Sequence, residues 1–405
     1  MFQERDYWVS WSQISGVGPI LLQRLQRHFE SLETAWFVPS EALMQVEGLG
    51  QRTAERIVEQ RSSLNLSQLL EQHIEKNPNF WTPVDPDYPR LLLEIPNPPP
   101  VLYYRGAVNS AENCGEIPSV AVVGTRHPTE YGRRWTQRIS SVLARRGFTI
   151  ASGMASGIDT IAHRSCLEVG GRTIAVFGTG VDIVYPRENR ELCQQVLQQG
   201  LVLSEYPAGT KPNPNHFPHR NRIVAGLSRA IFVMEAGPKS GAFITAYVAI
   251  EFCREVYVLP GRLDDQQSQG CLKLISGGAG VIPVDLEELL EQLGAMPPLN
   301  FAVDSEQLSL LSPSTSEIPA QASAVESSVE PIPELIPKPI PELTPQLAII
   351  FAMVTPEPVA FDVIVEKSDQ NAGLVSGALL QLELMGLITQ LPGMRYQRHP
   401  HGEAQ

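Results

Sequence analysis

The chain has 405 residues, 43% of them apolar, so it is long enough for two or three domains with buried cores. Its start, MFQERDYWVSW, lacks the basic residues and apolar run of a signal peptide, and no stretch reaches the roughly 20 apolar residues that span a bilayer; five cysteines without a CxxC pair speak for reduced thiols and a cytoplasmic location, against a disulfide framework or a zinc site. The net charge of −13 argues against a nucleic-acid partner only until it is divided along the chain.

Residues 1–114 carry a net charge of −5. Within them, 10–62 read as short helices. ISGVGP (14–19) and VEGLG (46–50) share an apolar-x-Gly-apolar-Gly pattern, and each leads into a helical run. This is the pattern of paired helix-hairpin-helix elements, whose glycines let backbone N–H groups approach a phosphate. The same glycines would equally serve as tight turns between packed helices. DPDYPRLLLEIPNPPPVLYYRG (85–106) is too rich in proline for a long helix and reads as an extended connector laid against the next domain.

Residues 115–285 carry +4, and here strand and helix patterns alternate. Apolar runs at 119–124, 148–153, 173–178, 201–206, 230–236 and 255–261 are the strand candidates. Continuous apolar strands joined by helices imply a parallel sheet covered on both faces, a doubly wound Rossmann-like domain. Ligands of such sheets bind beyond the carboxyl ends of the strands. Salt screens charge over about 8–10 Å, so the acidity of flanking segments does not decide what these ends can hold.

Residues 286–345 carry −9, and from about 295 onward they are dominated by Pro, Ser and Glu, as in an acidic disordered linker. Three short helical patterns and a hairpin then follow in the order of a winged helix. The expected boundaries are 1–80 (helical, helix-hairpin-helix or SAM-like), 81–114 (connector), 115–292 (extended Rossmann-like, mostly parallel α/β), 293–344 (linker) and 345–399 (winged helix).

The strand ends hold the candidate chemistry. In GTRHPTEYG, Gly124 permits a tight exit, Thr125 offers a hydroxyl and Arg126 can fork onto a phosphate. In SGMASGIDTIAH, Ser152, Gly153 and Gly157 allow close backbone approach, and Asp159 is placed to cap the next helix or to stabilise a neighbouring arginine. The span 210–229 contains no acid and carries Lys211, Arg220, Arg222 and Arg229 around Phe217 and Asn221. Cations mixed with rings suit a single strand, on which charges meet phosphates and rings stack on bases. The alternative is that Phe217 and Pro218 pack under the sheet while Arg220 pairs with a carboxylate such as Asp159 or Glu235. In EAGPKSGAFITA, Lys239, Ser240 and Gly241 precede a helix, where backbone N–H groups bind anions.

No GxxxxGK[ST] occurs, and GTGVDI lacks the third glycine of a dinucleotide fingerprint. The histidines of HFPH have no convincing metal-binding partner, and no nucleophile stands beside an obvious base. No cofactor or metal is expected.

Taken in order, GTR…YG, SGMASGIDTIAH, FGTGVDIVYP, FPHRNRIVAGLS, EA…KSGAFITA and LPG…SQGCLKLI resemble the DNA-processing protein A (DprA/Smf) family, strongly over 85–285 and more loosely at both ends. The resemblance implies a dimeric, non-enzymatic protein that binds single-stranded DNA, protects it and loads RecA recombinase in natural transformation, with single-strand-binding protein as a further candidate partner. It also implies that Arg126, Arg220 and Arg222 line the DNA groove and that Lys239, Ser240 and Gly241 add phosphate contacts. Ser156 stands where the family often has a basic or other polar group, so this loop supplies no charge, with His127 as a partial substitute.

Two rival readings are a nucleotide phosphoribohydrolase-type enzyme and a scaffold recruiting partners through the acidic linker. Against the first, no PGGxGT-type loop occurs, and the glutamate that follows KSGAFITA, Glu251, is a full helix away. The winged helix carries an expectation of its own. Its would-be recognition helix, 371–386, has no Lys or Arg and one Glu, and 346–405 are net −3, so this domain should not bind DNA by itself.

Overall fold

A computed structural model describes residues 2–238, 240–283, 286–294, 345–357, 359–368, 370, 375, 378–379, 382, 387–391 and 395–398. The chain divides into two compact units, Met1–Thr315 and Ser316–Gln405. The expected linker, from 295 to 344, lies outside the described residues.

The first unit opens with six helices: α1 (Glu4–Ser12), α2 (Pro19–Phe29), α3 (Leu32–Phe37), α4 (Ser40–Leu43), α5 (Gln51–Ser63) and α6 (Leu66–Lys76). Trp8, Trp11, Leu22, Leu25 and Ile57 fill their core, and the Trp11 indole donates to Leu32 O at 3.1 Å. The two glycine patterns do make turns: Gly16 and Gly48 take φ of +88° and +87°, which an L side chain rarely adopts. The next helices start at Gly18 and Gly50, neither carrying a side-chain cap. The turns are cross-braced. Arg24 of α2 donates to Glu47 O (2.9 Å) beside Gly48, and the Arg56 guanidinium of α5 lies over Gly16.

The connector is more than an extended strap. It contains β1 (Phe80–Trp81), α7 (Arg90–Leu93), β2 (Leu102–Gly106) and α8 (Ser110–Asn113). β2 pairs antiparallel with both β1 and β6, so this segment supplies two edge strands to the central sheet.

The chain then alternates: β3 (Ser119–Gly124), α9 (Glu130–Arg145), β4 (Thr149–Ser152), α10 (Ile158–Glu168), β5 (Thr173–Phe177), α11 (Arg190–Gln199), β6 (Leu201–Ser204), α12 (His216–Gly226), β7 (Ala230–Glu235), α13 (Gly241–Glu251), β8 (Glu255–Val258), α14 (Gln269–Ser276), β9 (Gly280–Val281) and α15 (Glu287–Gln292). The sheet order is β1-β2-β6-β5-β4-β3-β7-β8-β9, parallel from β6 to β9. Strand direction of growth reverses between β3 and β7, which is the switch point where crevices open in such sheets.

Alternation along the strands builds two cores. Ala121 and Val123 of β3 face α12, α13 and α14, while Val120 and Val122 face α9, α10 and α15. A third cluster joins α11 to the helical N-terminus through Val9, Leu70, Phe177 and Val196.

The second unit contains α16 (Pro345–Met353), β10 (Val359–Ala360), α17 (Phe361–Ser368), β11 (Ile388–Leu391) and β12 (Arg395–Arg398), with strand order β10-β12-β11. It has its own core, including Leu347, Ile350, Ile364 and Leu379. Of the expected recognition helix 371–386, only Val375, Ala378, Leu379 and Leu382 are described, and all are buried. Among the described residues, no helix is long and apolar enough to cross a membrane.

Candidate nucleic-acid interface

Beyond the carboxyl ends of β3 and β4, and between the starts of α12 and α13, lies a cleft of about 490 Å³. Its first wall is the β3–α9 loop. Thr125 N donates to Glu235 O at the end of β7 (2.7 Å), and Thr125 O accepts from Ile158 N at the start of α10 (3.1 Å). Gly157 makes this possible: its φ is +82°, and a Cβ there would overlap the backbone of Thr125 and Arg126. Gly124 is pressed against Ile158 in the same way. The loop thus presents Arg126, exposed on the cleft rim, with no hydrogen bond or ion pair among the described residues.

The floor holds two buried groups of opposite charge, Asp159 and Arg220. Asp159 Oδ2 accepts from Gly153 N (3.1 Å) and Ala155 N (3.3 Å). Burial raises the Asp159 pKa, and the Arg220 charge is the largest influence acting against it. Arg220, 4% exposed, donates through Nη1 to Gly153 O (2.6 Å) and to Val176 O. Burial lowers its pKa to about 10, with Asp159 opposing the shift. Of the two carboxylates considered for Arg220, Asp159 is the one whose charge acts on it, although the guanidinium hydrogen-bonds to backbone carbonyls and not to that carboxylate. Glu235 instead accepts from Thr129 N (2.8 Å) at the start of α9.

The second wall carries rings and helix ends. Phe217, half-buried, stands 5.3 Å from the Tyr185 ring at an interplanar angle of 33°. Ser240 caps α13 by accepting from Phe243 N, which leaves the first N–H groups of that helix, those of Gly241 and Ala242, without acceptors inside it. Asn221 Nδ2 donates to Gly241 O (3.4 Å), tying α12 to α13 at this corner.

Nine of the residues singled out in the sequence line one space: Gly124, Thr125, Arg126, Gly153, Phe217, Arg220, Asn221, Ser240 and Gly241. Five do not. Ser152 is buried and donates to Val122 O (2.7 Å), and Gly157 acts from behind the loop. Lys211 is exposed away from the cleft lining, and Lys239 lies outside the described residues.

The fifth, Arg222, corrects the expected three-arginine trough. It is 4% exposed, pairs with Glu205 and donates to Asn97 O (2.8 Å) on the connector. The reason is helical geometry. α12 begins at His216, so positions 220 and 222 are two apart on a helix and face different sides. Tyr185 and Thr245 line the cleft without having been singled out. For Tyr185 the available signal was an exposed aromatic beside a proline after a strand; Thr245 lies one turn inside α13 and gave none.

A family model described as DNA recombination-mediator protein A matches residues 79–294, and one described as the DprA winged helix domain matches 336–394. Protein Smf of Synechocystis sp. is 52% identical over 401 residues, 98% of this chain and 99% of that one. The DNA processing protein DprA of Streptococcus pneumoniae is 40% identical over 222 residues, 55% of this chain and 77% of that one. The X-ray structure of DNA processing protein A from Streptococcus pneumoniae superposes with a TM-score of 0.60 at 34% identity, covering 69% of this chain and 94% of that one. With both family models in place and near-complete coverage by a cyanobacterial Smf protein, the chain belongs to the DNA-processing protein A (DprA/Smf) family.

Proposed function

We propose that the protein binds single-stranded DNA in the β3–β4 cleft and acts as a recombination mediator. In this reading it protects incoming strands and passes them to a RecA-type recombinase during natural transformation, as a cytoplasmic homodimer. Single-strand-binding protein is a further candidate partner.

The observation that carries the reading is the convergence of an exposed arginine, the start of α13 and two aromatic rings on one cleft. Arg126 and the N–H groups of Gly241 and Ala242 suit phosphate oxygens. Tyr185 and Phe217 suit unpaired bases, because a ring can stack on a base only when that base is not already stacked in a duplex. Fluorescence anisotropy with labelled single and double strands of equal length, across a salt series, tests this. Single strands should bind tighter, with affinity falling linearly against salt on logarithmic axes. Tighter binding to duplex would sink the proposal.

The same geometry speaks for a mediator over a nucleotide hydrolase. Among the described residues, Asp159 is the one carboxylate on the cleft; it is already engaged by two N–H groups, and the nearby Arg220 charge favours its ionised form. Glu251 sits at the far end of α13, about 15 Å along the helix from Ser240. Self-association is supported by the uncharged outer stripe of α13, where Ile244, Tyr247 and Ile250 are 45%, 46% and 47% exposed.

We assign the C-terminal unit a protein-facing role. Residues 346–405 hold three basic residues, and one of them, Arg398, lies over the Phe351 ring at 4.1 Å. Isolated residues 340–405 should leave duplex DNA unshifted in a low-salt gel assay. Binding at micromolar protein would overturn the assignment.

A further inference from the structure

The cleft holds less free positive charge than the sequence promised. Arg222 is turned away, Arg220 is balanced by Asp159, and Arg126 remains on the rim. The cation surplus of residues 115–285 lies elsewhere. Residues 126–146 contain six arginines and one acid, Glu130, whereas the rest of that block holds twelve basic and thirteen acidic residues. The surplus is thus confined to Arg126 and the helix that follows it.

On α9 the residues are sorted by face. Gly132, Thr136, Ile139, Ser140 and Leu143 are buried against the sheet. Tyr131, Arg134, Trp135 and Arg138 recur at i, i+3, i+4 and i+7, so they form one stripe about 10 Å long bordering that face, with Trp135 half-buried and packed against the core beneath. Tyr131 is 40% exposed, with its hydroxyl pinned by donation to Pro260 O (2.9 Å). It meets the Trp135 ring edge-on at 6.2 Å, and the Arg138 guanidinium lies over that ring at 5.8 Å. Arg134 on the stripe and Arg133 beside it are both exposed; Arg133 donates from Nε to Pro128 O (3.2 Å). Arg146, paired with Glu287 at 2.7 Å, serves the fold instead.

A solvated helix face ordinarily mixes both signs, as α5 does with Arg52, Glu55, Arg56 and Glu59. Arginines of one sign separated by flat rings are instead the composition of a surface that follows a nucleic-acid backbone. We infer that α9 is a second phosphate track, which takes up single-stranded DNA leaving the cleft past Arg126 and lengthens the binding site. The inference rests on the cleft reading, and its test separates the two.

The full chain, its Arg133→Ala/Arg134→Ala double variant and its Arg126→Ala variant would be titrated with oligothymidines of about 6 and about 20 nucleotides, chosen to bracket the usual site sizes. Melting curves would confirm that the variants remain folded. The double variant should bind the short oligomer as the parent does and lose affinity for the long one several-fold. Its salt slope for the long oligomer should be shallower by about 1.4, at roughly 0.7 for each phosphate no longer neutralised. Arg126→Ala should weaken both oligomers. An unchanged long-oligomer affinity and slope in the double variant would overturn the track while leaving the cleft standing. If Arg126→Ala altered neither oligomer, the cleft reading would fall and the track, as its extension, with it. A loss seen on duplex alone would assign α9 to a different ligand and would also overturn the inference.

Discussion

Replacing Arg220 with alanine should lower the unfolding free energy by about 3–5 kcal/mol, the usual consequence of leaving a buried charge without the opposite charge that compensates it. The large figure follows from what the side chain leaves behind. Asp159 is 7% exposed and would keep its two backbone donors but lose the cation that most favours its ionised form. The carbonyls of Gly153 and Val176, at the ends of β4 and β5, would be deprived of a charged donor in the same step. Chemical denaturation measures the loss directly, as a fall in midpoint at unchanged slope. Adding Asp159→Asn to Arg220→Met should recover much of it, since a neutral pair no longer carries an uncompensated charge. A loss below about 1 kcal/mol for the single variant would show that the pair does not hold the floor of the cleft.

Arg126→Ala and Arg222→Ala should part company completely. Arg126 is exposed and unpaired among the described residues, so its removal should leave stability within about 0.5 kcal/mol. Its loss should weaken single-strand binding roughly 10- to 100-fold, as expected for a charged hydrogen bond, and make the salt slope shallower by about 0.7. Arg222 is enclosed against Glu205 and Asn97, so its removal should destabilise the fold and leave the salt slope of the folded protein unchanged. Anisotropy titrations at several salt concentrations, paired with melting curves, read both effects. A shallower slope for Arg222→Ala would mean that this side chain reaches the strand after all.

The contrast shows where sequence reasoning was sufficient. Strands β3 to β8 are continuous apolar runs, and their carboxyl ends coincide with the loops rich in glycine and small residues, so the position of the cleft was legible from period and composition. Which arginine faces it was not. Pro212, Pro214 and Pro218 argue locally against a helix, whereas Pro218 is tolerated in the first turn of α12 and the chain is helical from His216. Once that turn exists, residues 220 and 222 must diverge. The role of LYYRG was hidden for another reason. β2 pairs with β6, Tyr103 opposite Ser204, and no local pattern announces a partner so far along the chain. Charge misled in a third way. Summed over 115–285 it pointed to a basic domain, whereas the surplus sits in residues 126–146, which the structure places on and beside α9, while Arg220 on the cleft floor is offset by Asp159.

Contacts within the protein itself, made across Gly157, tie the loop bearing Arg126 to the first turn of α10. A receptor whose gripping segment is already rigid gives up little conformational freedom on capture. Encounter, rather than a slow rearrangement of that segment, then sets the speed of uptake, and the same scaffold can release and re-engage a moving strand repeatedly without refolding.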